Sequence, residues 1–390
     1  MNVRTGRFRL LDSMRAIAFV SVLVAHTAYA AGFATNGSSL TPYLARLDVG
    51  VRIFFLISAF LLYRPFVMAR LRDEPGPLPR AYAWRRFLRL APPYWLALCV
   101  IGIWIGLPGV FTVEHAPLYF GFAHIYTIDT LNVTVMPQAW SLCVEAVFYL
   151  FLPLYAALLR RLRGGLRTEL IAAAGLFSIG LAYKLILLAA GSLNDVSMLP
   201  WHLALPEYID YFAIGMALAA VSAAGAGGRA VELVDRRPWV AWLGAAALFV
   251  LVSKGIGFRG GVGDELTDAR YLARHYLYGA IALCVLLPAV FGDPDRGLIR
   301  RMLSWRPLLW VGLVSYGAFL YHFAFLTQLT EWGFGRVARD VSPYLWFPVT
   351  LAGSLVIAAV SWYGFERPVL SLKRLVPARK VERATLEPVP

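Results

Sequence analysis

Apolar residues along this chain come in blocks of about twenty, each closed by a short segment rich in arginine, glycine or proline. A helix of about twenty residues rises ~30 Å, the thickness of bilayer hydrocarbon. Ten blocks have that length, at Leu11–Ala30, Val49–Ala69, Leu90–Val110, Trp140–Leu159, Thr168–Ala190, Glu207–Ala224, Pro238–Gly255, Tyr271–Phe291, Pro307–Thr330 and Leu345–Phe365. The pattern predicts an all-α fold, a polytopic integral membrane bundle of about ten transmembrane helices. The first block does not read as a removable signal. It has no small-residue cleavage site, and it carries Asp12, Arg15 and His26, which a discarded peptide would not need.

The segments between the blocks alternate in charge. One alternate set, with the N-terminus and the tail, holds 26 of the 37 Lys and Arg, whereas the opposite set holds five. By the positive-inside rule both termini are expected on the cytoplasmic side. A missed or invented span would have scrambled this alternation, so the charges support the count of ten independently of hydropathy. They also change the meaning of the net charge of +14. Spread over loops on one side, it reads as topology with some attraction to anionic lipid, not as a nucleic-acid surface. Only 15% of residues are charged and 59% are hydrophobic, against roughly a quarter charged in soluble domains. Cys99, Cys143 and Cys284 lie inside apolar runs without pairing or metal-ligand spacing, so they read as small core residues. No metal site is expected. The chain divides into one membrane domain, 1–366, and a short basic cytoplasmic tail, 367–390.

Ionisable groups within a span cost roughly 2.5–3.5 kcal/mol on insertion scales, so they face a cavity or a partner. Arg15 and His26 are eleven residues apart, which puts them on one helical face within about 20°, with Asp12 about 40° off that line. Ser141, Glu145 and Tyr149 recur every four residues and make a second polar stripe. Glu145 suits a partner for a buried arginine such as Arg15 or Arg52, and that role is compatible with a place in a site. Arg85, Arg86 and Arg89 precede Pro92-Pro93, a pair expected to prevent smooth continuation into the third span. Arg86 and Arg89 share a face and would suit bidentate contacts to a phosphate, though juxtamembrane arginines also satisfy topology alone. Ser315 and His322 lie close to one face of the ninth span, where His322 reads as structural.

Seven of these segments, in order, closely resemble the acyltransferase 3 family of membrane acyltransferases. They are Leu11-Asp-Ser-Met-Arg-Ala-Ile-Ala with His26, Val49-Gly-Val-Arg-Ile-Phe-Phe-Leu-Ile-Ser58, Arg85-Arg-Phe-Leu-Arg-Leu-Ala-Pro-Pro-Tyr94 and Trp140-Ser-Leu-Cys-Val-Glu-Ala-Val-Phe-Tyr149. Tyr208-Ile-Asp-Tyr-Phe-Ala-Ile-Gly-Met216, Ser315-Tyr-Gly-Ala-Phe-Leu-Tyr-His322 and Phe365-Glu-Arg-Pro368 follow. The resemblance implies a ten-helix bundle in a bacterial plasma membrane. It also implies transfer of an acyl group, usually acetyl from acetyl-CoA, to a hydroxyl of a surface glycan, a glycolipid or an antibiotic. It assigns the essential histidine to His26, the Arg-x-x-Arg pair to Arg86 and Arg89, the first-helix arginine to Arg15 and the Trp-Ser-x-x-x-Glu carboxylate to Glu145. The sequence departs from the family at Arg52, often acidic or neutral, and at Ala59, where Ser-Gly is usual.

From these parts follows an expected mechanism of direct transfer. Acyl-CoA, a co-substrate and not a bound cofactor, would dock from the cytoplasm on Arg86 and Arg89, with Arg15 and Arg85 guiding it. Neutral His26 would take the proton of the attacking hydroxyl. Asp12 is about 21 Å from it along the helix, so Glu145 or Ser141 is expected to orient His26. A covalent acyl-His or acyl-Ser route stays open. Buried His, Glu and Arg would equally suit a proton-coupled transporter or flippase, against which stands the lack of an inverted repeat. The sequence names neither the acceptor nor the acyl chain.

Overall fold

The computed structural model describes residues 8–32, 39–132, 136–162, 164–191, 195–256, 267–334 and 343–377. Arg4, Arg7, Arg163, Arg259, Arg336 and Arg339 of the charge pattern, and the tail from 378 onward, lie outside them. Among the described residues ten helices, two of them counted with a π-helical turn that prolongs them, are long and apolar enough to cross a bilayer. They are α1 (Leu10–Ala30), α2 (Gly50–Leu71), α3 (Pro79–Trp104), α4 (Trp140–Arg160), α5 (Leu166–Ala190), α6 (Leu205–Ala224), α7 (Pro238–Val250), α8 (Asp268–Val290), α9 (Arg306–Glu331) and α10 (Pro343–Ser361). No β-strand occurs among the described residues. A π-helical turn prolongs α7 at Leu251–Gly255 and another prolongs α10 at Trp362–Glu366.

Helices α1, α2 and α6 form the middle of the bundle. The first packs on α9 and α2, and α6 lies between α2 and α5. Two glycines let these neighbours meet backbone to backbone. A Cβ on Gly312 would overlap the carbonyl of Asp12, which fixes the crossing of α9 over α1. A Cβ on Gly215 would sit 2.6 Å from Leu56 O and 2.7 Å from the Ala59 methyl. The unusual Ala59 is therefore accommodated by a glycine on the facing helix. Close approach of small residues is how membrane helices gain contact where lipid offers no hydrophobic drive.

Buried polar groups join the remaining helices. Lys184 of α5 and Asp210 of α6 pair at 2.8 Å, and His275 of α8 meets the same carboxylate at 2.9 Å. Outside the spans, Arg300 is 1% exposed and donates to the carbonyls of Pro288, Val234, Asp235 and Phe291 at 2.7–3.1 Å. Burial lowers its pKa. This arginine latches the short helix Gly228–Arg236 that precedes α7 to the end of α8, a role beyond topology.

The structure corrects one expectation. Helix α3 does not stop at Pro92-Pro93 but runs through them for 26 residues. Proline withholds an N–H and loosens the preceding turn, yet at this depth freed carbonyls can be bonded by a neighbouring helix. The carbonyls that Pro92 and Pro93 leave free are those of Leu88 and Arg89, and in the next position Tyr316 of α9 ties the same turn to its own helix by donating to Leu90 O at 2.8 Å. As a result Arg86 and Arg89 belong to the spanning helix itself.

Candidate active site

Helices α1, α2, α3, α4 and α9 line an open cavity of about 100 Å³. Its charged lining is Arg15 from α1, Arg86 and Arg89 from α3, and Glu145 from α4. Arg15 is one turn into α1, where its Nη1 donates to Asp12 Oδ1 at 3.1 Å. Arg89 lies over the rings of Tyr316 and Trp362, 5.5 and 5.8 Å from their centroids. The π-turn at Trp362–Glu366 brings the second ring there. Arg86 lines the wall with a buried Nε that lacks a hydrogen-bond partner. Three guanidinium groups against one carboxylate leave the cavity cationic, which suits a phosphorylated ligand.

Glu145 is tied down on both oxygens. Ser58 Oγ donates to one at 2.5 Å and Tyr149 Oη to the other at 3.1 Å. It shares the cavity lining with Arg15 and Arg86. Ser141 also lines the cavity, with its hydroxyl donating to Gln138 O at 3.1 Å. The fourth arginine of the sequence expectation falls elsewhere. Arg85 is exposed and is not part of the lining, because a neighbouring residue points about 100° away around the helix. Arg52 is the partner of Asp48 (3.4 Å) and not of Glu145, and it lies over the Tyr278 ring.

His26 does not line this cavity. It lies near the end of α1, about 16 Å along the axis from Arg15 at 1.5 Å per residue. Its Nδ1 is 2.8 Å from Nε2 of His322, a fully buried residue of α9. The two imidazoles are within 3° of parallel with centroids 5.1 Å apart. Given the nitrogen-to-nitrogen distance, that separation places them end to end in a common plane. Phe323 packs edge-on against His26 and Phe19 against His322. Beneath the pair, Phe319 O accepts from His322 Nδ1 at 2.8 Å, while the Phe319 ring packs on Phe54 and lines the cavity. Gln138 Nε2 donates to Phe319 O at 3.2 Å and to Leu320 O at 2.8 Å. The cavity thus ends one helical turn below the histidine pair.

This arrangement corrects the expected partner of His26. Glu145 is held by Ser58 and Tyr149, and Ser141 by Gln138 O, so neither orients it. The partner is His322, which the sequence reading set aside as structural. Its spacing from Ser315 marked a polar face of α9, but contact across 296 residues leaves no trace in local periodicity. A second buried pair, Cys143 and His124 at 3.5 Å, looks superficially like a nucleophile and base. Burial pushes the His124 pKa down to about 4, so at neutral pH no imidazolium is there to hold a thiolate. Cys143 does not line the cavity.

Comparison with known proteins bears on this site as a whole. The family model described as an acyltransferase domain matches residues 8–363. The peptidoglycan O-acetyltransferase OatA of Listeria monocytogenes is 23% identical over 375 residues, covering 92% of this chain and 55% of that protein. Nodulation protein 10 of Rhizobium leguminosarum bv. viciae is 24% identical over 372 residues, covering 86% of this chain and 85% of its own. The chain therefore spans about half the length of the peptidoglycan relative. No solved structure matches.

Proposed function

The chain belongs to the acyltransferase 3 family, and from that premise we propose that it is a membrane O-acetyltransferase. It moves an acetyl group from acetyl-CoA to a hydroxyl of a sugar-containing acceptor, of the class formed by cell-surface glycans, glycolipids and glycosylated antibiotics. The observation that carries this reading is the cationic cavity of Arg15, Arg86 and Arg89 ending one turn below the His26–His322 pair.

In this reading the phosphates of acetyl-CoA dock from the cytoplasmic side, where both termini lie, and the arginines hold them. The pantetheine arm extends toward His26, and about 16 Å of helix axis separates that residue from Arg15. His26 takes the proton from the acceptor hydroxyl as its oxygen attacks the thioester carbonyl. The C–S bond breaks, and the thiolate leaving group takes up the proton that His26 gained, giving ester and free CoA. General-base assistance of this kind contributes roughly 10²–10⁴ in rate. Glu145, fixed by Ser58 and Tyr149, acts as counter-charge that keeps Arg15 and Arg86 apart and aimed inward. An acyl-enzyme on Ser141 is disfavoured, because its proton is committed to the Gln138 carbonyl.

The test uses purified protein in vesicles with radiolabelled acetyl-CoA and sugar-containing acceptors. Label is expected in an alkali-labile ester. His26→Ala should lower kcat about 10²–10⁴-fold, and Arg86→Ala should raise KM for acetyl-CoA. A protein that moved a solute across the vesicle membrane without consuming acetyl-CoA would be a transporter, and the reading would fall.

A further inference from the structure

We propose that His322 is a positioning residue that fixes the tautomer of His26 and leaves its Nε2 as the basic atom. The inference rests on the reading of His26 as the base, and it concerns which of that residue's two nitrogens does the work and why.

The assignment follows from a chain of hydrogen bonds that has only one neutral solution. A backbone carbonyl can only accept, so the 2.8 Å contact with Phe319 O places the proton of His322 on Nδ1. A neutral imidazole then has a bare Nε2. That atom is 2.8 Å from His26 Nδ1, and the bond requires a proton between them. The proton therefore belongs to His26 Nδ1, and the lone pair of His26 lies on Nε2, pointing away from His322. The rings' common plane aims donor and lone pair at each other. The alternative, a protonated His322, would bury a cation at a site where no carboxylate among the described residues hydrogen-bonds either ring. An unpaired charge at such a site is strongly disfavoured.

The carbonyl that starts the chain is itself braced. Both hydrogen bonds of the Gln138 amide run to the same turn of α9, at Phe319 O and Leu320 O. Gln138, from the turn that opens α4, thus holds the acceptor that sets His322, which in turn sets His26. When Nε2 takes the hydroxyl proton, His26 becomes an imidazolium whose Nδ1–H still points at His322 Nε2, and that bond strengthens with the charge. His322 exchanges no proton and touches no substrate. Its contribution is orientation, as with a histidine whose second nitrogen is fixed by a partner in other acid–base sites.

Two isosteric variants separate orientation from packing. In His322→Gln the amide reaches the position of Nε2 and its oxygen can accept from His26. In His322→Asn the amide reaches only Nδ1, so it satisfies Phe319 O and leaves His26 without a partner. The expected result in vesicles is a kcat about 10²-fold lower for Asn, a kcat for Gln well above that of Asn, and an unchanged KM for acetyl-CoA in both. Equal losses in Asn and Gln, or full activity in Asn, overturn the inference. Full activity in His26→Ala overturns instead the reading of His26 as base. A measurement that needs no variant at 322 is the nitrogen NMR spectrum of ¹⁵N-histidine-labelled protein, assigned with His26→Ala. His26 is expected as the Nδ1–H tautomer, and the Nε2–H tautomer would overturn the proposal.

Discussion

At the scale of single residues, the arginines of the cavity are not equivalent, and their surroundings predict how each tolerates lysine. Arg89 is held flat over two aromatic rings, so its contribution depends on a planar, stacked cation. Such contacts are worth roughly 0.5–2 kcal/mol each way of counting, or about 2- to 30-fold in affinity. Arg86 lines the cavity without such a stack, and its buried Nε has no hydrogen-bond partner, so what it offers a ligand is chiefly its charge. Arg89→Lys should therefore raise the Kd for acetyl-CoA nearly as much as Arg89→Ala does, whereas Arg86→Lys should keep part of the affinity that Arg86→Ala loses. Titration of the four variants with acetyl-CoA checks this, and equal behaviour of the two lysine variants would contradict it. The stripe of Ser141, Glu145 and Tyr149 was legible because a helix face repeats every four residues, and two of the three residues do share hydrogen bonds at the cavity wall. The rings under Arg89 were not legible, since Tyr316 and Trp362 reach it from two other helices. Nor was the Lys184–Asp210–His275 cluster, three ionisable groups on three helices whose only sequence mark is that each sits within a span.

At the scale of helices, the same division holds for a physical reason. Lipid demands a run of about twenty apolar residues with every backbone group bonded inside the helix, so span number and order follow from the sequence. Where two spans touch is decided by small residues that carry no hydropathy signal. Gly312 is the clearest case, because α1 and α9 cross the membrane in the same direction and meet at both ends. Gly312 rests on the Asp12 carbonyl at one end, and His322 meets His26 toward the other. A side chain at 312 must push the helices apart or rotate one against the other, and overpacking of this kind costs about 1–3 kcal/mol. Gly312→Ala is expected to lower Tm and, by loosening the 2.8 Å contact of the histidines, to lower kcat as well. Gly175, in α5, has nothing within 4 Å of its Cβ position. Gly175→Ala should leave both unchanged or raise Tm slightly, since alanine favours helix over glycine by about 1 kcal/mol. Thermal unfolding in detergent with matched kinetics separates the pair. An α1–α9 crossing indifferent to Gly312→Ala would mean that other contacts set the position of His26.

At the scale of the whole molecule, the two halves of the candidate site face opposite ends of the bundle. Arg15 and the Arg86–Arg89 pair lie toward the end at which α1 begins, the end crowded with basic loops. His26 lies four residues before α1 finishes at the other. By the positive-inside rule the basic end is expected in the cytoplasm, where acyl-CoA is made and from which its charge keeps it from escaping. On the proposed function the donor would enter on one side and be consumed near the other, so that an acceptor could approach His26 without passing the arginines. This geometry has a consequence for sealed membranes. Vesicles turned inside out present the basic loops to the medium and should use added acetyl-CoA at once. Right-side-out vesicles should be inactive with the same donor until permeabilised, because a polyanion does not cross the bilayer unaided. After permeabilisation the two preparations should reach the same rate. Equal rates in both while still sealed would require a donor site open to the opposite face, and would place the arginine cavity on the wrong side of the reaction. A thiol-reactive probe that cannot cross membranes, applied to a cysteine introduced at the exposed Arg85, gives the same answer from the protein itself. Labelling confined to inside-out vesicles fixes the orientation independently of activity, so a failure of the kinetic test could be traced either to topology or to the donor.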